Sequence, residues 1–293
     1  MTDEEGDPVA TIEDEDVVIC FNFRNDRSKQ LTKAFTSKKF DEFERAEQPR
    51  DIRFIGFKEY EKGLNMEVAF HSQEITTRLG EVLSRNNKKQ YRIAETEKYA
   101  HVTYFFNGGK EDPYPGEDRK IIPSKNVRSY AEKPEMSAQE VTDHLLEALD
   151  SDEYDFVLVN YANPDMVGHT GDVEAGIKAV ETVDRYLDKV IDKVLEKKGR
   201  MIITADHGNV EEMVNLYTGE RNTNHSNNPV PCWYVSPDSY LEEREEIYKK
   251  DGELEVSGML IDIAPTVLEL MGIKKPRKMM GHSMMEKFRR QQQ

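Results

Sequence analysis

The chain has 293 residues, with 41 Lys and Arg against 57 Asp and Glu and a formal net charge of -16. That length suits two domains or one large α/β domain. An acidic balance of this size argues against a nucleic-acid binder, whose affinity rests on a basic surface. No apolar run approaches the roughly 20 residues that span a bilayer, and the acidic N-terminal stretch does not read as a signal peptide. Cys20 and Cys232 lie in apolar runs and read as buried free thiols, which suits a reducing cytoplasm.

In chain order, strand-like runs rich in Val, Ile, Phe and Tyr cover Val17 to Phe23, Ile52 to Phe57 and His101 to Phe106. A Gly/Pro-rich loop follows from Asn107 to Gly116, and Ser137-Ala138-Gln139-Glu140 reads as a capping box that opens a helix toward Leu149. Phe156 to Asn160 reads as the next strand. From Val173 to Lys198 apolar residues recur every three or four positions, which predicts a long helix stopped by Gly199. Met201 to Ala205 and Val230 to Val235 are strand-like. Ala264 to Met271 predicts a helix with Pro265 in its first turn and Gly272 closing it. Strand, helix, strand over 156–205 is a βαβ unit and predicts a parallel sheet. Glu44 to Arg50 and Asn86 to Lys89 read as polar breaks.

Two motifs carry the chemistry. Asn163-Pro164-Asp165-Met166-Val167-Gly168-His169 and Thr204-Ala205-Asp206-His207-Gly208-Asn209 each place an Asp and a His just beyond a strand. In open α/β sheets ligands bind beyond the carboxyl ends of the strands, and oxygen with imidazole is a donor set for Mn, Zn, Mg or Co. Pro164 and Gly168 disfavour a helix, so Asp165 and His169 read as a loop bite around one ion, or else as a turn cap and a surface histidine. Asp206 and His207 read as ligands where Gly208 bends the chain, or as a helix cap and a loop histidine. His225 either completes an Asp-His-His set or is a solvated loop residue. Arg24 and Arg27 form an anion clamp at a strand end or a helix-start ion pair with Asp26. Lys98 adds a point charge before the strand at His101 or is simply exposed. His71, His101, His144 and His282 read as structural or surface residues.

These stretches, with Phe21-Asn22-Phe23-Arg24-Asn25-Asp26-Arg27, Ala94-Glu95-Thr96-Glu97-Lys98-Tyr99, Phe105-Phe106-Asn107-Gly108-Gly109, Pro134-Glu135-Met136-Ser137-Ala138 and Asn224-His225-Ser226, closely resemble the C-terminal part of the cofactor-independent (2,3-bisphosphoglycerate-independent) phosphoglycerate mutases of the alkaline phosphatase superfamily. The resemblance implies a three-layer α/β/α domain with a mostly parallel sheet. It implies interconversion of 3-phosphoglycerate and 2-phosphoglycerate in glycolysis, two Mn²⁺ ions (Zn²⁺, Mg²⁺ or Co²⁺ as alternatives) and a phosphoserine intermediate. Carried over, Asp165, His169 and His225 hold the first ion, Asp206 and His207 part of the second, and Arg24, Arg27 and Lys98 the phosphoglycerate. Asn25 stands where the family often has Pro or Ala.

Relative to the family, residues 1–70 read as the tail of a phosphoglycerate-binding domain. Residues 71–293 read as the metal-binding domain without its opening strands, so the serine nucleophile is absent. Ser28, Ser37, Ser72 and Thr170 offer no substitute. The resemblance therefore predicts a mutase working with a separate N-terminal piece. The alternatives are an inactive metal-binding fragment or a metal-dependent phosphohydrolase.

Overall fold

The computed structural model describes residues 2–3, 5–23, 25–45, 50–71, 77–215, 217–238 and 256–290. The chain divides into two compact units, Met1–Glu74 and Ile75–Gln293. Among the described residues no helix is long and apolar enough to cross a membrane.

In the first unit β1 (Val17–Cys20), β2 (Arg53–Gly56) and β3 (Glu67–Val68) form a parallel sheet in that order, and α1 (Asn25–Thr36) connects the first two. β1 starts where expected but stops at Cys20 instead of Phe23, and β2 is one residue shorter at each end than Ile52 to Phe57; beyond their C-terminal ends rings pack together. Phe23, Phe57 and Phe70 pack edge-to-face and stacked at centroid distances of 5.2–6.2 Å. The Tyr60 hydroxyl donates to the carbonyl of Asn22 at 2.6 Å and pins the end of β1. Part of the polar break at 44–50, residues 46–49, lies outside the described residues.

The second unit is a mixed α/β fold built on a parallel sheet of order β5-β4-β6. Its strands are β4 (Gln90–Glu95), β5 (Glu117–Ile122) and β6 (Phe156–Asn160). Side chains alternate across β4. Ile93 faces one core with Ile122, Val141, Leu145, Val190 and Val194. That core is closed by α4 (Ala138–Asp150) and α6 (Val173–Glu196). On the opposite face Arg92 lies over the Phe106 ring, 4.2 Å from its centroid. There α2 (Leu79–Arg85) and α7 (Ile263–Leu270) supply a second core with Leu83 and Leu268. Helices on both faces of a parallel sheet make three layers.

Several expectations need correction. The run His101 to Phe106 is not a strand. α3 (Thr96–Ala100) continues directly into a π-helical turn, His101–Phe105, while the central strand is the less apolar Gln90–Glu95 just before it. Ser137 does precede α4, but no capping box forms. Its hydroxyl donates to Pro123 O at 2.8 Å, and Glu140 pairs with Lys125 instead. At the end of α6 it is Lys198, not Gly199, that takes the left-handed backbone (φ 55°). Gly199 does not take that backbone, and a Cβ there would fit tightly, 3.1 Å from Val194 Cγ1 and 3.2 Å from Val194 O. Gly272 (φ 66°) closes α7 as expected.

The βαβ reading holds only in part. β7 (Met201–Thr204) pairs antiparallel with β8 (Cys232–Val235) and not with β6. Yet Met201 packs against the same core as Val157 and Val159 of β6. Among the described residues β6 pairs only with β4, and β7 only with β8. Nearby, α6 exposes Val173, Ile177 and Val180, an i, i+4, i+7 apolar stripe. Open strand edges and a bare apolar stripe favour association. The isolated chain is expected to self-associate at micromolar concentration in sedimentation velocity, and Ile177→Lys to weaken that association. A chain that stays monomeric at about 100 μM would contradict this reading.

Candidate metal centre

The site gathers where chain leaves the carboxyl ends of the strands. α5 (Asn163–Gly168) begins three residues after β6 and carries Asp165, with His169 as its C-cap. Here the sequence reading is corrected, because the two residues form a helical i, i+4 pair rather than a loop bite. Pro164 sits in the first turn, where its missing N–H has no partner to lose. Gly168 is set by close approach: a Cβ there would lie 2.4 Å from Asn209 Oδ1.

Asp165 Oδ1 is 3.2 Å from His169 Nε2 and 3.2 Å from His225 Nε2, and the two Nε2 atoms are 3.1 Å apart. These three residues form a group able to hold a metal ion. Ligands about 2.1 Å from one ion, at angles between octahedral and tetrahedral, lie about 3.0–3.4 Å apart. The observed triangle fits that spacing. His169 Nδ1 donates to Thr223 O at 2.7 Å, which leaves its Nε2 lone pair facing the triangle. A carbonyl behind a histidine is the usual support for a metal ligand.

Asp165 is the buried anchor of the three, 12% exposed against 38% for His169 and 47% for His225. Its Oδ2 accepts from Lys98 Nζ, and its Oδ1 from Asn209 Nδ2 at 2.7 Å. Burial pushes its carboxyl up, but the bonds from Lys98 and Asn209 outweigh that and hold it below the usual carboxylate range. The carboxylate is therefore ionised, as a ligand must be. Lys98 is neither exposed nor before a strand. It lies buried on α3 with its ammonium on Asp165.

Asp206 and His207 follow β7. The His207 ring stacks on His225 with centroids 3.7 Å apart, and Asp206 Oδ1 is 3.8 Å from His207 Nε2. Both therefore border the triangle, but they belong to no group of three donors among the described residues. Gly208 serves close approach rather than a left-handed bend. A Cβ there would lie 2.2 Å from Ser226 Oγ and 2.3 Å from Glu211 Oε1. Arg27 lies in the first unit, in α1, where it is exposed and donates to Gln30 Oε1 at 3.3 Å. Arg24 lies outside the described residues.

Three residues were missed or dismissed by sequence reasoning. Asn209 braces Asp165, and Glu211 ties the two ligand loops together. His101 was read as structural or surface. It stands one helical turn beyond Lys98, on the same face, and its Nδ1 is buried without a partner among the described residues. Burial and the Lys98 ammonium push its imidazole down, against Asp206 and Asp165, which pull it up. The three-residue spacing from Lys98 was the available signal, lost because the segment read as a strand.

Gly168→Ala is expected to displace Asn209, break its bond to Asp165, and lower divalent-cation affinity about tenfold. Calorimetric titration with Mn²⁺ reads this. Unchanged affinity would show that Asn209 does not hold Asp165 in place.

A family model described as the Metalloenzyme superfamily matches residues 51–275, and one described as the BPG-independent PGAM N-terminus matches residues 1–62. The chain is 53% identical over 283 residues to a 2,3-bisphosphoglycerate-independent phosphoglycerate mutase of Clostridium botulinum, covering 96% of this chain and 53% of that protein. It is 48% identical over 289 residues to 2,3-bisphosphoglycerate-independent phosphoglycerate mutase 1 of Methanosarcina acetivorans, covering 98% and 53%. The crystal structure of Leishmania mexicana phosphoglycerate mutase at low cobalt concentration superposes with a TM-score of 0.66 at 32% identity, covering 96% of this chain and 52% of that one. The chain thus spans about half the length of the curated relatives it matches.

Proposed function

The chain belongs to the metalloenzyme superfamily, and from that premise we propose that it supplies the cation-binding part of a metal-dependent phosphoglycerate mutase interconverting 3-phosphoglycerate and 2-phosphoglycerate. The observation that carries this reading is the triangle of Asp165 Oδ1, His169 Nε2 and His225 Nε2, with edges of 3.1–3.2 Å. The names of the curated relatives supply the substrate.

In this reading Asp165, His169 and His225 hold one Mn²⁺, and Asp206 and His207 contribute to a second. When bound, such ions lower the pKa of a coordinated hydroxyl and neutralise phosphoryl charge. The chain's own groups do the rest. Lys98 keeps Asp165 ionised and brings a positive charge to the site. The Thr223 carbonyl fixes the tautomer of His169. Arg24 and Arg27 grip the carboxylate or phosphate of the substrate, a bidentate task suited to guanidinium groups. A phosphoglycerate needs such local cations because the chain as a whole carries -16.

Residues 1–70 are assigned to the substrate-orienting domain and 71–293 to the metal-binding domain. The phosphoryl relay of this reading needs a nucleophilic serine, and that role is assigned to none of Ser28, Ser37 and Ser72. Two free thiols accord with a cytoplasmic setting. The test is a mutase assay in Mn²⁺, with and without the N-terminal half of the Clostridium botulinum relative. Mn²⁺-dependent turnover only in the mixture is expected. Tight Mn²⁺ binding with no turnover in either sample would overturn the mutase reading in favour of a non-catalytic metal protein. Phosphate release from a generic phosphate ester would overturn it in favour of a phosphohydrolase.

A further inference from the structure

We propose that Glu211 is a positioning residue for the cation centre, a carboxylate strap that fixes the loop of His225 against the loop of Asp206 and His207. The proposal rests on the reading that Asp165, His169 and His225 share an ion.

His225 is the ligand with the weakest support from secondary structure. It lies between the short 3₁₀ turn at Val210–Glu212 and β8, a stretch in which the described residues form only turns and isolated bridges. Its side chain is also the most exposed of the three. Something other than a helix or a strand ladder must hold it.

Glu211 is placed to do so. Its Oε2 accepts from the backbone N–H of Asn209 at 2.8 Å. Its Oε1 accepts from the hydroxyl of Ser226 and from Asn228 Nδ2 at 3.1 Å. One carboxylate thus spans both loops, and each contact lies within three residues of a donor of the centre. Ser226 is the neighbour of His225. Asn209 follows His207 and Gly208, and its own side chain holds Asp165. A backbone bond from Ser226 N to Gly208 O, 3.0 Å, lies beside the strap. The glycine at 208 belongs to the same device, because any Cβ there would sit 2.3 Å from Glu211 Oε1. Hydrogen bonds to a carboxylate are the strong kind, and supports behind metal ligands commonly govern affinity by 10–100-fold.

The full chain is titrated with Co²⁺, followed by calorimetry and by the visible d–d bands, which report coordination. Glu211→Ala is expected to weaken Co²⁺ binding about 10–100-fold and to change the band pattern as His225 leaves the ion. Glu211→Gln, which keeps one acceptor, should fall in between. Glu181→Gln removes an exposed acidic charge on α6 and should stay within about twofold of the parent, as expected where no support behind a ligand is lost. Should Glu211→Ala fail to fold, Ser226→Ala with Asn228→Ala cuts the same ties from the other side. Parent-like affinity and spectrum in Glu211→Ala, or in that double variant, would overturn the proposal. A parent chain that binds no Co²⁺ would instead overturn the metal-centre reading itself.

Discussion

Asp165→Asn is expected to lower Mn²⁺ affinity at the first site by more than about 100-fold, because removing a ligand exceeds the effect of removing its support. Asp165 is the one anion of the triangle, and both its oxygens are engaged, Oδ2 by Lys98 and Oδ1 by Asn209 and the two imidazoles. An amide of the same shape cannot neutralise the ion, and it leaves Lys98, 7% exposed, without its counter-charge. Breaking a buried pair from one side costs about 3–5 kcal/mol. Asp165→Asn should therefore also destabilise the metal-free chain, and Lys98→Met placed on top of it should restore part of that loss. Asp206→Asn should leave the first ion bound and weaken only a second. Calorimetric titration and denaturant melts separate these outcomes. Parent-like Mn²⁺ binding by Asp165→Asn would contradict the role given to this residue.

Glu117→Ala is expected to cost about 3–5 kcal/mol of folding stability, with no direct effect on the cation donors. The Glu117 side chain is fully buried at the start of β5. It accepts from Asn107 Nδ2 at 3.0 Å, from the Tyr114 amide at 3.1 Å and from Arg119 Nε at 2.8 Å. Beside it lies Arg92, fully buried on β4, which donates to Val102 O at 3.0 Å and to Gln90 Oε1 at 2.6 Å. Burial pushes the Arg92 guanidinium down to about 10, against the pull of Glu117, so it stays charged near neutrality. Losing Glu117 would strand that charge. Burial alone would raise the Glu117 carboxyl, but Asn107, the Tyr114 amide and Arg119 hold it below its ordinary value. A carboxyl depressed in the folded state contributes stability at pH above its unfolded value, about 4.3. That stability is lost as pH falls through the lower folded value. Acid unfolding below about pH 4 should therefore be shallower in Glu117→Gln. Equal stability of Glu117→Ala and the parent in urea would refute the network.

The sequence made some of this legible. Val173 to Lys198, with its regular apolar spacing, marked α6 to within two residues, and Phe156–Asn160 was read at its observed bounds. The central strand was not legible, because Gln90, Arg92 and Glu95 are buried polar residues with hydrogen-bond partners outside the strand, and an apolar-run criterion passes over them. The next segment erred the other way. Val102, Thr103, Tyr104 and Phe105 have strand propensities, yet the helix that carries Lys98 continues through them. α5 was misread because Pro164 and Gly168 look like helix breakers. One is harmless in a first turn, and the other is imposed by Asn209, which lies 41 residues away in the sequence. The Asp and His positions beyond strand ends were visible in the motifs. That their donor atoms converge, and that Glu211 ties the loops, depends on contacts no local pattern encodes.

The central claim is that one divalent cation is shared by Asp165, His169 and His225. Anomalous diffraction from crystals soaked in Co²⁺ tests it most directly. The account predicts a peak about 2.1 Å from Asp165 Oδ1 and from the Nε2 atoms of His169 and His225. Saturating Co²⁺ that left these three atoms unligated, with the ion seated elsewhere or absent, would contradict it.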